Sequence, residues 1–279
     1  MSLSWKVLLS ILTISSYSML VIARPSRQCL VDMDDTGDLR INYSNNLFKT
    51  LLMGRLKETK SLHPAFGRES AVRSCKELKT RSPDSESGIY WIDPDGGFHD
   101  NAFQAYCDQQ TAGGGWTLVW SYGFTDYDNF NSGGNAVTPI PSWPVSKSNV
   151  RVSKTLPLRE TDYEAMPFDL WRALGNEILV KSNINNWITC KAGSGSMVMW
   201  QKGSINCSVV KVVARNCNDT VPTTFSVSSA NGPSLDASSL YYYFDGYKGS
   251  NWPTHDPCGS NAVNHVKNVA NPRGNLYVR

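Results

Sequence analysis

The chain has 279 residues, of which 41% are apolar, 11% aromatic and 18% charged, with a mean hydropathy of -0.33. That length holds one large domain or two small ones, and 9 Trp, 12 Tyr and 9 Phe supply enough buriable area to exclude wholesale disorder. With 27 Lys and Arg against 24 Asp and Glu the net charge is +3, which fits neither the basic stripe of a nucleic-acid binder nor the polyacid of a mineral nucleator.

Residues 1–23 carry one cation, Lys6, and then an apolar stretch from Val7 that ends at Val21-Ile22-Ala23. This predicts a signal peptide cut after Ala23, because small residues stand at the first and third places before the cut. The stretch is interrupted by Ser10, Thr13, Ser15, Ser16 and Ser18 and falls short of the roughly 20 clean apolar positions of a membrane span. A secreted protein with no membrane span and no nucleic-acid partner is expected.

Residues 24–68 form the predicted N-terminal arm. It lacks strand alternation, and Leu47, Phe48, Leu51, Leu52 and Leu56 recur at helical spacing, predicting a short amphipathic helix near 45–60 that packs on the main domain. Asp32 to Asp38 begins like a calcium-binding helix-loop-helix motif, with acids at places one and three and Gly37 at six. Tyr43 stands at place twelve, where a bidentate Glu belongs, so a solvated acidic turn is the preferred reading.

Beyond residue 74 the texture changes to short aromatic and β-branched runs punctuated by Gly, Pro, Asn and Asp, which reads as a mainly antiparallel sheet. Strands are predicted at Ile89–Ile92, Phe103–Tyr106, Trp116–Trp120, Ile178–Ile184, Met197–Trp200, Val209–Ala214 and Leu240–Phe244. Residues 121–160 read as a long irregular insertion. One helix is predicted near 167–177, with Pro167 early and Phe168, Trp171 and Leu174 on one face. The fold class is α+β, with few short helices and long loops.

Seven widely spaced cysteines contain no C-x-x-C and form no zinc spacing with the four histidines, so disulfides are the better reading. The six from Cys75 onward allow fifteen connectivities. Sequential pairing is expected, Cys75 with Cys107, Cys190 with Cys207 and Cys217 with Cys258, since loops of that length are commonly closed in secreted modules. Cys29 is left over, as an intermolecular bridge or a free thiol. Sequons at Asn42, Asn206 and Asn218 are candidate glycan acceptors, hence surface positions, and chance is the competing explanation in a chain rich in Asn and Ser.

Cys75, then Ser87-Gly88-Ile89-Tyr90, Ile92 and Pro94, then Tyr106-Cys107-Asp108, Thr111 and Gly113-Gly114-Gly115-Trp116-Thr117, resemble the opening subdomain of fibrinogen-like C-terminal modules. Leu174-Gly175-Asn176-Glu177 is similar to a second segment of that family. The resemblance implies a divergent, non-catalytic fibrinogen-like domain over 69–279. The family's C-terminal calcium loop and Gly-Trp-Trp stretch are missing from residues 241–258, so no ligand-pocket residue is carried over. The ending Asn271-Pro272-Arg273-Gly274-Asn275 and the stretch Leu179 to Trp187 resemble secreted fibrinogen-like proteins of marine invertebrates, among them skeletal organic matrix proteins of reef-building corals. That implies adhesion within a calcified extracellular matrix, with matrix proteins, glycans or a calcium mineral surface as partners. A soluble glycan-binding lectin is the alternative.

Calcium is the one cofactor suggested. Trp91 to Asn101 resembles the calcium loop of fibrillar-collagen C-propeptides, and the match implies Asp93, Asp95, the Phe98 carbonyl and Asn101 as ligands. Gly96 stands where that pattern has a further side-chain ligand, and a plain strand-ending Asp-Pro-Asp-Gly turn is the competing reading. No nucleophile, zinc-protease or phosphate-loop motif is present, so no enzyme is expected. Tyr241 to Phe244 and Trp252 offer a glycan-stacking platform or, at lower cost, core packing.

Overall fold

The computed structural model describes residues 65–127, 135–228, 231–237, 240–249, 258 and 264–279, together with the backbone of four short N-terminal strands. The helix expected near 45–60, Cys29 and Trp252 lie outside the described residues. The chain divides into two compact units, residues 1–62 and 63–279. In the first, β1 (Ser10–Ile14) pairs antiparallel with β2 (Tyr17–Val21), and β3 (Leu30–Met33) with β4 (Leu39–Asn42). The arm therefore contains a strand pair that its lack of alternation did not announce.

The second unit is built on one mainly antiparallel sheet. In chain order it comprises β5 (Gly88–Ile92), β6 (Phe103–Asp108), β7 (Trp116–Phe124), β8 (Val137–Thr138), β11 (Glu177–Ser182), β12 (Trp187–Ala192), β13 (Gly203–Lys211), β14 (Thr224–Ser228), β15 (Gly232–Asp236), β16 (Leu240–Tyr243) and β17 (Arg273–Val278). A separate short parallel pair joins β9 (Ile140–Pro141) to β10 (Val152–Ser153). The strand order is β16-β15-β14-β13-β12-β11-β17-β7-β6-β5, with β8 on β7, so the C-terminal strand sits at the centre. Two short α-helices flank the sheet among the described residues, α1 (Cys75–Arg81) and α2 (Phe168–Leu174). Three disulfides join Cys75 to Cys107, Cys190 to Cys207 and Cys217 to Cys258. Closing loops of these lengths stabilises by roughly 3–4 kcal/mol each in the chain-entropy model.

Both faces of the central strands are covered, which is why all nine residues of β7 are buried. The large core takes Ile178, Val180, Leu276 and Val278 from one face, with Trp120, Tyr122 and Phe124. A smaller cluster of Trp116, Leu118, Leu179 and Tyr277 lies on the other. Pairing slips between Leu276 and Tyr277, opposite Trp120 and Leu118, leaving Val119 unpaired on that side. This bulge reverses the parity of β7, sending Trp116 and Leu118 one way and Trp120 and Tyr122 the other.

Several expected elements differ in extent. Met197–Trp200 is a tight turn, closed by the Ser196 to Gln201 bridge, with Trp200 at φ 54. Met197 and Val198 are buried and Trp200 half-buried while Met199 is exposed, so the apolar run reflects the burial of a turn and not an extended strand. The strand expected at Val209–Ala214 instead runs Gly203–Lys211, because the Asn186 side-chain oxygen accepts from the amides of Val213 and Ala214 and draws them off the ladder. The insertion at 121–160 gives its first four residues to β7.

Helix α2 ends three residues early because Gly175 takes φ 150, where an added Cβ would strike the Arg279 backbone. That glycine lets the Asn176 and Glu177 amides reach the Arg279 carbonyl and pin the C-terminus. Gly175→Ala is expected to lower stability by about 1–3 kcal/mol, read as a reduced urea midpoint with unchanged slope.

Candidate calcium site in the first hairpin

Strand β5 ends at Ile92, and the next residue begins a turn whose chemistry the sequence dictates. Pro94 fixes its own φ and Gly96 supplies φ 65, while the Gly96 amide closes back on the Asp93 carbonyl at 3.1 Å. The turn is docked on the chain ahead of α1: the Asp93 amide donates to the Val72 carbonyl at 2.8 Å, continuing a parallel bridge between Val72 and Ile92. Asp93 is thereby fully buried.

A single turn of 3-10 helix, His99–Asn101, then folds the loop back over the carboxylates. His99 Nδ1 lies 2.6 Å from Asp93 Oδ2, and the Asn101 amide donates to Asp95 Oδ2 at 2.6 Å. Asp95 Oδ1 accepts from the Gly97 amide at 3.1 Å. That backbone hydrogen bond, followed by the contacts with Asn101 and with Asp93 itself, holds the Asp95 carboxyl below its ordinary value. Two carboxylates thus stand side by side, and Asp93 Oδ1 is buried with no hydrogen-bond partner.

This arrangement suits a hard cation. Juxtaposed carboxylates repel unless a proton or cation lies between them, and a buried carboxylate oxygen without a donor carries an unmet desolvation cost. Asn101 has its amide toward Asp95, and a half-turn of that group would present its oxygen instead. The Phe98 carbonyl, which accepts from the Asp100 amide, sits at the same loop. Four protein oxygens would leave the remaining positions of a six- to eight-coordinate calcium to water. Gly96 adds no side chain, and among the described residues no cluster of three or more His, Cys, Asp or Glu is arranged for a metal. Calcium held by so few protein oxygens would fall in the weak regime of extracellular modules, about 10⁻⁴–10⁻³ M.

The other predicted site residues are dispersed. Asn206 and Asn218 are exposed, as glycan acceptors need to be, although Cys207, between Asn206 and Ser208, is bridged to Cys190. Asn42 ends β4. Tyr242, Tyr243 and Phe244 are buried, with Phe244 packed against Trp120 and Trp143, so these three rings are core and offer no stacking platform.

A polar cluster that the sequence reading missed lies on the opposite face of the sheet from the large core. Lys181 Nζ contacts Asp108 Oδ2 at 2.6 Å and Glu160 Oε1 at 2.9 Å, and the Tyr277 hydroxyl also bonds Glu160. Burial alone would raise the Asp108 carboxyl and lower the Lys181 ammonium. The ion pair, with the Thr111 and Gln110 donors on Asp108, outweighs it and shifts each the other way. The one signal was a lysine directly after the apolar Ile178–Val180 run, inside a strand.

Comparison with known proteins places the hairpin within a recognised stretch. A family description, the fibrillar collagen C-terminal domain, matches residues 48–119, which contain the whole Asp93–Asn101 loop. The collagen alpha-2(I) chain of Oncorhynchus mykiss is 40% identical over 50 residues, 18% of this chain and 4% of the collagen. That of Oryctolagus cuniculus is 34% identical over 74 residues, 26% of this chain and 12% of the collagen. The matches thus span a small part of those collagens. Among solved structures, the fibrinogen-like globe domain of human ANGPTL6 aligns with a TM-score of 0.36 and 12% identity, covering 78% of this chain and 98% of that one.

Proposed function

We propose that this protein is a secreted, non-catalytic component of an extracellular matrix that adheres through a weak calcium site in its first hairpin. The observation that carries the reading is the buried, partnerless Asp93 Oδ1 in a loop where Asp95 contacts Asp93 and Asn101 bonds Asp95, inside the stretch matched by the collagen C-terminal domain. Three disulfides fit an oxidising compartment. Among the described residues no helix is long and apolar enough to cross a membrane. A calcified skeleton is the matrix proposed, where millimolar calcium would keep so weak a site filled.

The test is retention of the full chain on demineralised and on mineralised skeletal matrix, washed with 2 mM calcium or with chelator. Retention that falls at least fivefold in chelator, and equally in Asp93→Asn, is the expected result. Retention unaffected by either would contradict the reading.

A further inference from the structure

The β13-β12-β11-β17 part of the sheet carries a second place with the makings of a ligand site, remote in sequence from the calcium hairpin. Lys181 and Asn275 are direct cross-strand neighbours, and so are Trp187 and Lys211. Because Arg273, Asn275 and Tyr277 alternate onto one face of β17, their side chains rise beside Lys181 rather than into the large core. The result is an open cleft of about 420 Å³ lined by Glu160, Lys181, Trp187, Lys211, Arg273 and Asn275, within the usual range for small-ligand pockets.

The charges in this cleft are unevenly satisfied. Lys181 is neutralised at the floor by Asp108 and Glu160. Lys211 and Arg273 enter no salt bridge among the described residues, and Lys211 Nζ instead lies 4.5 Å from the centre of the Trp187 ring. Deeper in, Asn275 is only 4% exposed, yet its Oδ1 has no hydrogen-bond partner. A buried acceptor left open costs stability unless a donor arrives from elsewhere. Glu160, whose side chain is 40% exposed, is a second acceptor on the same wall.

We propose that this cleft binds a carboxylated sugar unit of an acidic glycan. Lys211 and Arg273, the latter with one N–H on the Asn271 carbonyl at 3.5 Å and neither with a carboxylate partner among the described residues, would take the carboxylate, and the acceptors Asn275 and Glu160 would take sugar hydroxyls. A ligand with charge along its whole length meets Glu160 unfavourably, whereas one anionic group beside several hydroxyls matches the split between cations and acceptors. Trp187, with an ammonium already over its ring, orients Lys211. The site uses none of the calcium ligands.

The test titrates the full chain with a labelled hyaluronan tetrasaccharide in 0.15 M NaCl with excess chelator, so that failure of the calcium site does not affect it. Binding is expected, with at least tenfold weakening in Lys211→Ala and in Arg273→Ala and none in Lys202→Ala, an exposed lysine just before the first residue of β13. On the wild-type chain, methyl glucuronide is expected to compete and methyl glucoside to fail. The proposal is overturned by absence of binding, by equal competition from the neutral sugar, by equal loss in Lys202→Ala, or by stronger displacement with a sulfated oligosaccharide lacking carboxylates.

Discussion

Lys181→Met is expected to destabilise the protein by about 3–5 kcal/mol at neutral pH, because it leaves the buried Asp108 carboxylate without its cation. Methionine fills much of the lysine stem's volume, so the loss comes from charge rather than from a cavity. The pH dependence separates this cause from poor packing. In the wild type the Asp108 carboxyl is held low, so its contribution is complete above about pH 3.9, its unfolded value, and is lost as pH falls through the lower folded value. Lys181 is held high, so its contribution is complete below about pH 10.4 and disappears as pH rises through the folded value.

In the variant, Asp108 keeps its burial and loses its partner, which pushes its carboxyl up. Urea midpoints measured from pH 3 to 8 should therefore show the deficit shrinking toward acid, where Asp108 becomes neutral. A deficit constant across that range would mean that the ion pair is not its source. Adding Asp108→Leu to Lys181→Met is expected to return part of the lost stability, since a buried pair replaced by apolar groups is often neutral.

Trp120→Ala should cost a similar amount, about 3–5 kcal/mol, for a different reason. Trp120 is fully buried at the start of the large-core half of β7, with ring centroids 4.3 Å from Tyr122, 4.9 Å from Trp143 and 5.3 Å from Phe244. Its indole N–H donates to the Pro139 carbonyl at 2.8 Å, tying the loop before β9 to the sheet. Truncation would open a cavity among rings that cannot close it and leave that carbonyl unpaired. Trp120→Phe, which keeps a ring and loses the donor, is expected to lose roughly half as much. The check is chemical denaturation of both variants. An alanine variant within 1 kcal/mol of wild type would show that the site collapses far more readily than this packing allows.

The strands were legible where one physical rule acted alone. Ile89–Ile92 and Trp116–Trp120 are aromatic and β-branched runs bounded by Gly and Asp-Pro turns, and both are strands. Phe168, Trp171 and Leu174 gave the helix by spacing, and Gly175 fixed its end by a backbone angle that spacing does not encode. Met197–Trp200 misled because a turn that buries Met197 and Val198 gives the same short apolar run as a strand. The Val119 bulge was invisible for the same kind of reason, since it depends on the partner strand.

At the candidate sites the same division holds. Asp93, Asp95 and Asn101 lie within one turn and one short loop, and the resemblance of that loop to the one in fibrillar-collagen C-propeptides is what singled them out. Lys181, Asp108, Glu160 and Tyr277 come from four separate segments: the sheet order β11-β17-β7-β6 gathers three of them, and the Ser121 hydroxyl of β7, donating to the Glu160 carbonyl, holds the fourth. The second cleft depends likewise on which strand lies beside which.

Isothermal calorimetry of calcium into the full chain, with Asp93→Asn and Asp95→Asn alongside, tests the calcium hairpin most directly. One site with a dissociation constant of about 10⁻⁴–10⁻³ M is expected in the wild type, abolished in Asp93→Asn and weakened at least tenfold in Asp95→Asn. No heat from the wild type, or binding that both variants retain, would contradict it.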